Sequence, residues 1–331
     1  MTEKPLDPST SLKAGLAALR AELDACFGPR ARFNEALAAH TTLRLGGPAD
    51  LWFPARSVAE LFEVVGLARQ RAVPVFLLGG GANLLIGSAG ARGLVIENRA
   101  RVVRFEGARV IAESGTILPR LAKRCAQQGL SGLEWAVGVP GTIGGAAVNN
   151  AGAYGMSMAD ILIRAEILTP QGERIWQPVE WFEYEYRFSK LKQGDRETRG
   201  QGDRGTGGQG DGGTRGYVIL QVELALVPAS TAEVEATMRK YTARRKATQP
   251  PGATIGSMFK NPPGDYAGRL IEAVGLKGYR IGQAQISPVH ANFFVNLGSA
   301  SADDVIELVK TAQEQVLDKF GVLLELEVEI V

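Results

Sequence analysis

The chain has little of what several common chemistries require. Only two histidines, His40 and His290, occur among 331 residues, which leaves no material for a histidine-based metal site and argues against a Ser/His/Asp triad. The two cysteines, Cys26 and Cys125, lie far apart and outside any metal-like spacing; they read as reduced, buried thiols of a cytoplasmic protein. Lys and Arg number 37 against 35 Asp and Glu, a net charge of +2. With the signs interspersed, nothing in this balance points to nucleic acid or to a membrane surface. No apolar run is long enough to span a bilayer, and residues 1–10 carry Pro5 and Pro8 without the apolar core of a signal peptide. The GxGxxG fingerprint opening a helix is also absent, which disfavours a Rossmann site. A hydrophobic fraction of 45% and a charged fraction of 22% are those of an ordinary soluble protein, and the length suits two or three domains. The expectation is a cytoplasmic monomer without metal, nucleic-acid partner or membrane insertion.

Glycine, by contrast, is abundant and concentrated. The run GVPGTIGGAAVNNAGAYG at residues 138–155 holds glycines, two asparagines and a proline among small neighbours. Each glycine adds backbone freedom that folding must remove, so a loop is expected here, with no regular helix or strand. A second loop, LGGGANL at residues 78–84, follows the apolar run 73–78 and so leaves a buried strand. Glycines permit positive φ and close backbone approach, so successive N–H groups can converge on a pyrophosphate. A plain glycine-rich hairpin is the alternative for either loop alone. Two such cradles in one chain suggest a large phosphate-bearing cofactor.

A third glycine-rich stretch has a different character. Residues 193–216 contain ten glycines, four arginines and four acids, and no aliphatic or aromatic side chain. Such a segment cannot offset its ordering entropy and is expected to be a disordered surface insertion. An RNA-binding RG tract is disfavoured by its zero net charge and missing aromatics.

Elsewhere the periodicity alternates between helix and strand. Helices are expected over residues 11–27, 58–72, 116–129, 232–246, 267–274 and 301–320. The last opens on Ser301 with Asp304 three residues on and closes at Gly321. Strands are expected over 73–78, 94–97, 102–105, 110–113, 161–168, 217–227, 289–297 and 322–331. This is an α+β pattern. Three side chains then invite chemistry, each with a bland alternative. Ser257 reads as a turn or N-cap residue, Arg187 as a surface ion pair with Glu180, Glu183 or Glu185, and Glu327 as part of the solvated acidic face of the final alternating strand.

The motifs gain specificity in combination. HTTLRLGG (40–47), LGGGANLLI (78–86), the 138–155 run, YRFSKLK (186–192), GSMFKNP (256–262) and LELEVEI (324–330) occur in an order that resembles the UDP-N-acetylenolpyruvoylglucosamine reductase family. The resemblance runs from about His40 to the C-terminus, excluding the insertion. It implies a two-subdomain FAD-binding fold of the vanillyl-alcohol-oxidase/PCMH type at residues 31–228, preceded by a tail and helix at 1–30. A C-terminal α/β substrate domain would follow at 229–331, its last strand possibly returning to the FAD domain. The reaction implied is NADPH-driven reduction of a UDP-N-acetylglucosamine enolpyruvate in peptidoglycan precursor synthesis. The competing readings are a flavin-dependent oxidase of the same fold acting on an alcohol or sugar, and a non-enzymatic nucleotide-binding protein.

The same resemblance assigns residues. Non-covalent FAD is expected at Thr42, Arg44, Gly79, Gly80, Gly81, Ala82, Asn83 and Leu84, and along the second loop at Gly138, Pro140, Gly141, Thr142, Gly144, Gly145, Asn150 and Gly152. The UDP-sugar is expected at Tyr154, Lys246, Asn261 and Lys277. It makes Ser257 the proton donor to C2, and Glu327 with Arg187 the pair that polarises the substrate carboxylate. His40 shapes a turn. Two positions depart from the family pattern: Thr248 replaces a phosphate-binding lysine, for which Arg244, Arg245 or Lys246 could compensate, and Glu329 stands where an arginine is common.

Overall fold

The computed structural model describes residues 8–192 and 216–331, with side chains from residue 12 onward; the insertion expected at 193–216 lies outside the described residues except for Gly216. A first sheet runs in the order Arg32–Ala36, Pro48–Ala55, Ala91–Asn98, Val75–Leu78. Its first pair is antiparallel and the other two are parallel. Helices Pro8–Phe27 and Val58–Gln70 bury Leu16, Leu19, Leu23, Leu61, Val64 and Val65 against Leu51, Phe53, Leu94 and Ile96 on one face of it. Trp52, Phe76, Leu78 and Val95 fill the other face.

Pro48–Ala55 was not legible as a strand because prolines stand at positions 48 and 54 and its interior is buried on both faces, without alternation. The antiparallel ladder reaches no further along it than Trp52. The amide that Pro54 lacks therefore falls outside that ladder.

A second, antiparallel sheet has the order Arg174–Pro178, Leu162–Leu168, Val218–Ala225, Arg109–Glu113, Val103–Glu106. Helix Leu118–Gln127 turns Leu118, Leu121, Ala122 and Cys125 into its core beside Trp135 and Phe182. Burial pushes the Cys125 thiol up to about 12, so it is an inert packing group, whereas Cys26, expected to be buried as well, is exposed. Helix Thr231–Thr248 sends Val234 and Met238 into this same core.

The third sheet is antiparallel, in the order Ala253–Ser257, Phe293–Asn296, Ala284–Ile286, Arg280–Ile281. Helices Ala267–Ala273 and Ala302–Phe320 cover it through Leu270, Ile271, Val305, Leu308 and Ala312. The long helix starts with the expected reciprocal cap between Ser301 and Asp304 and ends at Gly321 with φ +68°, in the left-handed region that suits glycine.

Two sequence expectations need correction. Residues 138–155 do contain a short strand, Gly152–Ala153, paired with Met156–Ser157, and a helix, Ile143–Val148, capped by the Thr142 hydroxyl, which accepts from the Gly145 amide. Gly144 gives its N–H to the Ser114 carbonyl at 2.9 Å, and a Cβ there would come within 2.7 Å of Ser114 Cβ. Close packing is thus what glycine provides, and it outweighs the helix-propensity cost of about 1 kcal/mol. The final segment is likewise not a strand over 322–331: only Glu329–Ile330 is one, and it pairs in parallel with Leu84–Leu85 of the first unit. Backbone contacts with the third unit hold the residues before it, the Lys260 amide donating to the Glu325 carbonyl and the Glu327 amide to Met258. Among the described residues no helix is long and apolar enough to cross a membrane.

Candidate active site

The two glycine loops meet face to face. Strand Val75–Leu78 delivers the first, and a Cβ on Gly80 would stand 2.6 Å from Gly141 Cα, one on Gly79 2.8 Å from the Thr142 hydroxyl, and one on Gly81 2.1 Å from the His40 carbonyl oxygen. Of these three only Gly81 has a positive φ, +57°. Glycine is therefore needed at 80 so that two backbones can touch, and at 79 so that the loop can lie against the Thr142 side chain. Between and beside the loops opens a cavity of about 410 Å³. One wall is the main chain of 79–84 together with Pro140, Gly141, Thr142, Gly144, Gly145 and Gly152, and it presents no carboxylate. Main-chain N–H groups along this glycine-lined wall fit a diphosphate-bearing cofactor.

Ser257, Arg187 and Glu327 all line the same cavity. Ser257 ends strand Ala253–Ser257 directly after Gly256, whose φ of +87° has open space on its Cβ side. Its hydroxyl has no hydrogen-bond partner among the described residues. The following residues are clamped: Asn292 accepts the Phe259 amide on its side-chain oxygen and returns its own amide to the Phe259 carbonyl. Arg187 holds φ +56°, donates to the Gly152 carbonyl at 3.0 Å, and brings Nε within 2.8 Å of Glu327 Oε1. That Nε–H is not aligned for a hydrogen bond to the carboxylate, so the contact is an electrostatic pairing. Burial raises the Glu327 carboxyl above its ordinary value, against the opposing pull of Arg187 first, then Lys192 and Lys260.

The three acids of the last segment have separate environments. The Glu325 side chain is 71% exposed and pairs with Lys260 at 3.4 Å, whereas that of Glu327 is 18% exposed. Glu329 lines the cavity. Arg187 pairs with none of the three glutamates nearest it in sequence but with Glu327, 140 residues on.

Other expected residues lie around this centre. Thr42 supports the first loop, its amide donating to the Gly81 carbonyl at 3.0 Å. Arg44, at φ +57°, borders a separate hollow beside Pro250, Gly252 and Asn296. Asn150 is buried and structural: its side chain donates to the Glu185 carbonyl and accepts from the Ala159 amide. Gly138 lies against the Arg245 side chain. Tyr154 stacks on Tyr241. Lys246 is exposed and outside the cavity lining, while its neighbour Arg245 is half-buried within that lining. Asn261 accepts the Ala267 amide, and Lys277 pairs with Glu272 at 2.9 Å; both are exposed and away from the lining. His40 sets its ring nitrogens 3.0 Å from Glu35 and 2.9 Å from Glu97 beneath the first loop.

Sequence reasoning did not find Asn98, Ser114, Asn149 or Gln249, which also line the cavity. Asn98 donates to the Ser114 hydroxyl at 2.7 Å. Asn149 lies within the 138–155 run without having been singled out there; the other three lie at element ends that only the tertiary arrangement brings together, so no local signal could have marked them.

Comparison with known proteins gives concordant relations. Residues 248–331 match the family described as UDP-N-acetylenolpyruvoylglucosamine reductase, C-terminal domain, and residues 49–177 match an FAD binding domain. The chain is 41% identical over 319 residues to the UDP-N-acetylenolpyruvoylglucosamine reductase of Moorella thermoacetica, covering 95% of this chain and 98% of that one. It is 40% identical over 305 residues to that of Rubrobacter xylanophilus, covering 92% and 96%. Its fold is similar to the crystal structure of the Thermus caldophilus UDP-N-acetylenolpyruvylglucosamine reductase, with TM-score 0.74, 35% identity and coverage of 91% and 98%. The expected α+β architecture, a two-subdomain FAD-binding fold followed by a C-terminal domain, is borne out.

Proposed function

The chain belongs to the UDP-N-acetylenolpyruvoylglucosamine reductase family, and on that premise we propose that it reduces UDP-N-acetylglucosamine enolpyruvate to UDP-N-acetylmuramate, with NADPH as hydride donor, in the cleft between its glycine loops and Ser257. Membership makes it an FAD-dependent oxidoreductase of peptidoglycan precursor synthesis. The observation that carries the proposal is the convergence of the Arg187–Glu327 pair and the free Ser257 hydroxyl on a cavity whose facing wall is glycine main chain.

FAD would be held by the loops at 79–84 and 138–152. Bound there, it supplies hydride transfer between NADPH and C3 of the enolpyruvyl group. A proton must then reach C2 to complete reduction of the C=C bond, leaving NADP⁺ as the oxidised product. Ser257 would give that proton. An unactivated hydroxyl is a weak acid, and it serves only because charge developing at C2 and the adjoining carboxylate makes a strong base. Arg187, always charged, would take a substrate carboxylate oxygen on its planar fork. Glu327, whose burial favours the protonated form, can share a proton with a second substrate oxygen. Together they would stabilise the enolate until Ser257 delivers its proton. Beyond the cleft, we assign Tyr154, Asn261 and Lys277 to the UDP-sugar, and we place the enzyme in the cytoplasm as a monomer.

Half-reactions test the role of Ser257. In Ser257→Ala the flavin absorbance should bleach with NADPH at the parent rate, because that step needs no proton from the serine. Anaerobic recovery on adding the enolpyruvyl substrate should be slower by about 10² to 10⁴. Recovery at the parent rate would remove Ser257 from the mechanism.

A further inference from the structure

We propose that Lys192 is a positioning residue of the cleft, fixing through the side-chain amides of Asn149 and Asn83 where Glu327 stands. The proposal deepens the reading above and rests on it. Asn149, Asn83 and Glu327 line the cavity, each from a different segment: the C-terminal end of helix Ile143–Val148, the first glycine loop and the last ten residues. Lys192 is not part of that lining. Its Nζ donates to Asn149 Oδ1 at 2.7 Å. The Asn149 side-chain nitrogen donates to the Gly145 carbonyl at 2.9 Å. Asn83 Nδ2 donates to the Glu327 carbonyl at 3.1 Å and reaches Asn149 Oδ1 at 3.5 Å. Segments remote in sequence thus meet on two amide side chains.

These bonds have one polarity, and the lysine sets it. A carboxamide presents an acceptor at one end and donors at the other, and the two ends have nearly the same shape, so its partners decide which way it faces. An ammonium has donors only. Facing Asn149, it holds the amide oxygen toward itself and toward Asn83, and leaves the nitrogen for Gly145. Asn83 then points its own nitrogen at Asn149, and that same nitrogen serves the Glu327 carbonyl. Turned over, Asn149 would set NH₂ against NH₂; Asn83, turned over in response, would set its oxygen against the Glu327 carbonyl. Charge-assisted hydrogen bonds are the stronger kind, so one ammonium at the head of the chain biases both amides. The ammonium is itself well held. Residues 189–192 dock on the end of helix Ile143–Val148: the Ser189 hydroxyl donates to the Val148 carbonyl, the Lys192 amide donates to the Ser189 carbonyl at 2.9 Å, and Leu191 is buried. Arg187 lies in the same stretch and brings Nε within 2.8 Å of Glu327 Oε1. One stretch of chain therefore reaches Glu327 twice, at its carboxylate through Arg187 and at its backbone through Lys192 and two amides.

The test follows both half-reactions of the FAD-loaded protein by stopped flow, in Lys192→Met, Lys192→Arg, Glu327→Gln and the double variant Lys192→Met with Glu327→Gln. Lys192→Met should keep the parent flavin content and bleach with NADPH at the parent rate, while anaerobic reoxidation by UDP-N-acetylglucosamine enolpyruvate slows about 10-fold, as for a misplaced catalytic group. Lys192→Arg, whose side chain again has donors only, should restore most of that rate. In Glu327→Gln no acid is left to position, so adding Lys192→Met should slow reoxidation by no more than about 2-fold further. Reoxidation of Lys192→Met at the parent rate overturns the proposal, and so does the same loss repeated in the Glu327→Gln background. Loss of flavin from Lys192→Met overturns it too, because the lysine would then belong to the cofactor cradle. The link to Asn149 is also read without substrate: Lys192→Met and Asn149→Ala together should lower the melting temperature by less than the sum of their separate effects, and additive effects overturn it. Should Lys192→Met not fold, Lys192→Gln carries the same comparisons, because its amide can take either polarity. A parent that bleaches with NADPH but is never reoxidised by this substrate would overturn the functional reading, while the melting cycle would still decide the link.

Discussion

Replacing Gly80 with alanine asks whether the first glycine loop exists to let two backbones meet. The added Cβ would fall 2.6 Å from Gly141 Cα, 3.1 Å from its carbonyl carbon and 3.4 Å from its nitrogen. All three are backbone atoms, so no side chain can swing aside, and ordinary contact requires the loops to part by about 1 Å. Overpacking of this kind typically costs about 1–3 kcal/mol. If the FAD-bound state needs the loops closed and the free state does not, FAD affinity should fall by about 5- to 150-fold. If both states need the contact, the loss divides between affinity and the melting temperature of the FAD-free protein. Valine should cost more than alanine. Gly66 is the control: it lies within helix Val58–Gln70 with nothing within 4 Å of its Cβ position, so Gly66→Ala should stabilise by up to about 1 kcal/mol. Fluorescence titration of FAD-free protein with FAD, together with thermal melts, measures both effects. A Gly80→Ala protein with parent affinity and parent melting temperature would refute the packing argument.

Glu327→Gln should slow substrate reduction by roughly 10² or more, while Glu325→Gln, at an exposed side chain, stays within a few-fold of the parent; equal losses would return Glu327 to the solvated face. The stability effect has the opposite sign. Burial raises the folded-state value of Glu327, so its contribution is present below the unfolded value of about 4.5 and lost as pH rises through the raised one. At pH 7 the glutamine variant should therefore melt no lower than the parent, and any excess should shrink as pH falls through that window; a variant that melts well below the parent at pH 7 would contradict the assignment. Replacing residues 193–216 with a short Gly-Ser linker should leave melting temperature and turnover nearly unchanged, and loss of turnover with FAD still bound would show that the segment meets the substrate.

What was legible in the sequence follows from how local each signal is. The Ser301–Asp304 cap, the Gly321 terminus and the apolar face of Leu118–Gln127 are encoded within four residues and appear where expected. The motif order carried the family because it samples segments that fold together over nearly the whole chain. Pro48–Ala55 stayed hidden because a strand buried on both faces has no alternation to read. The helix Ile143–Val148 stayed hidden because Gly144 answers to Ser114, a contact made through space. Of three basic candidates in a row, Arg244, Arg245 and Lys246, the expectation for the UDP-sugar fell on Lys246, because sequence carries no signal of which one the fold turns inward. Only the fold turns the second of the three into the cleft and leaves Lys246 in solvent.

The last ten residues show how a correct pattern can have a different cause. Alternation of Leu324, Leu326 and Val328 with three glutamates suggests a strand that buries one face and wets the other. The structure keeps Leu324 and Val328 buried, yet only Glu329–Ile330 joins a strand, and it joins the one that follows the first glycine loop. Glu327 is held at both ends of its peptide unit. Its amide donates to Met258, next to Ser257, and its carbonyl accepts from the Asn83 side chain at 3.1 Å. The Asn83 carbonyl in turn receives the Glu329 amide at 3.0 Å. The segment therefore ties the proposed proton donor to the proposed cofactor cradle through three backbone-anchored hydrogen bonds, and the acid between them needs no strand to hold its register. A loop that shifted to accommodate a Cβ at Gly80 would pull on Asn83, and through it on Glu327. Damage to the cradle and damage to the acid are thus mechanically coupled, although 244 residues separate Asn83 from Glu327 along the chain.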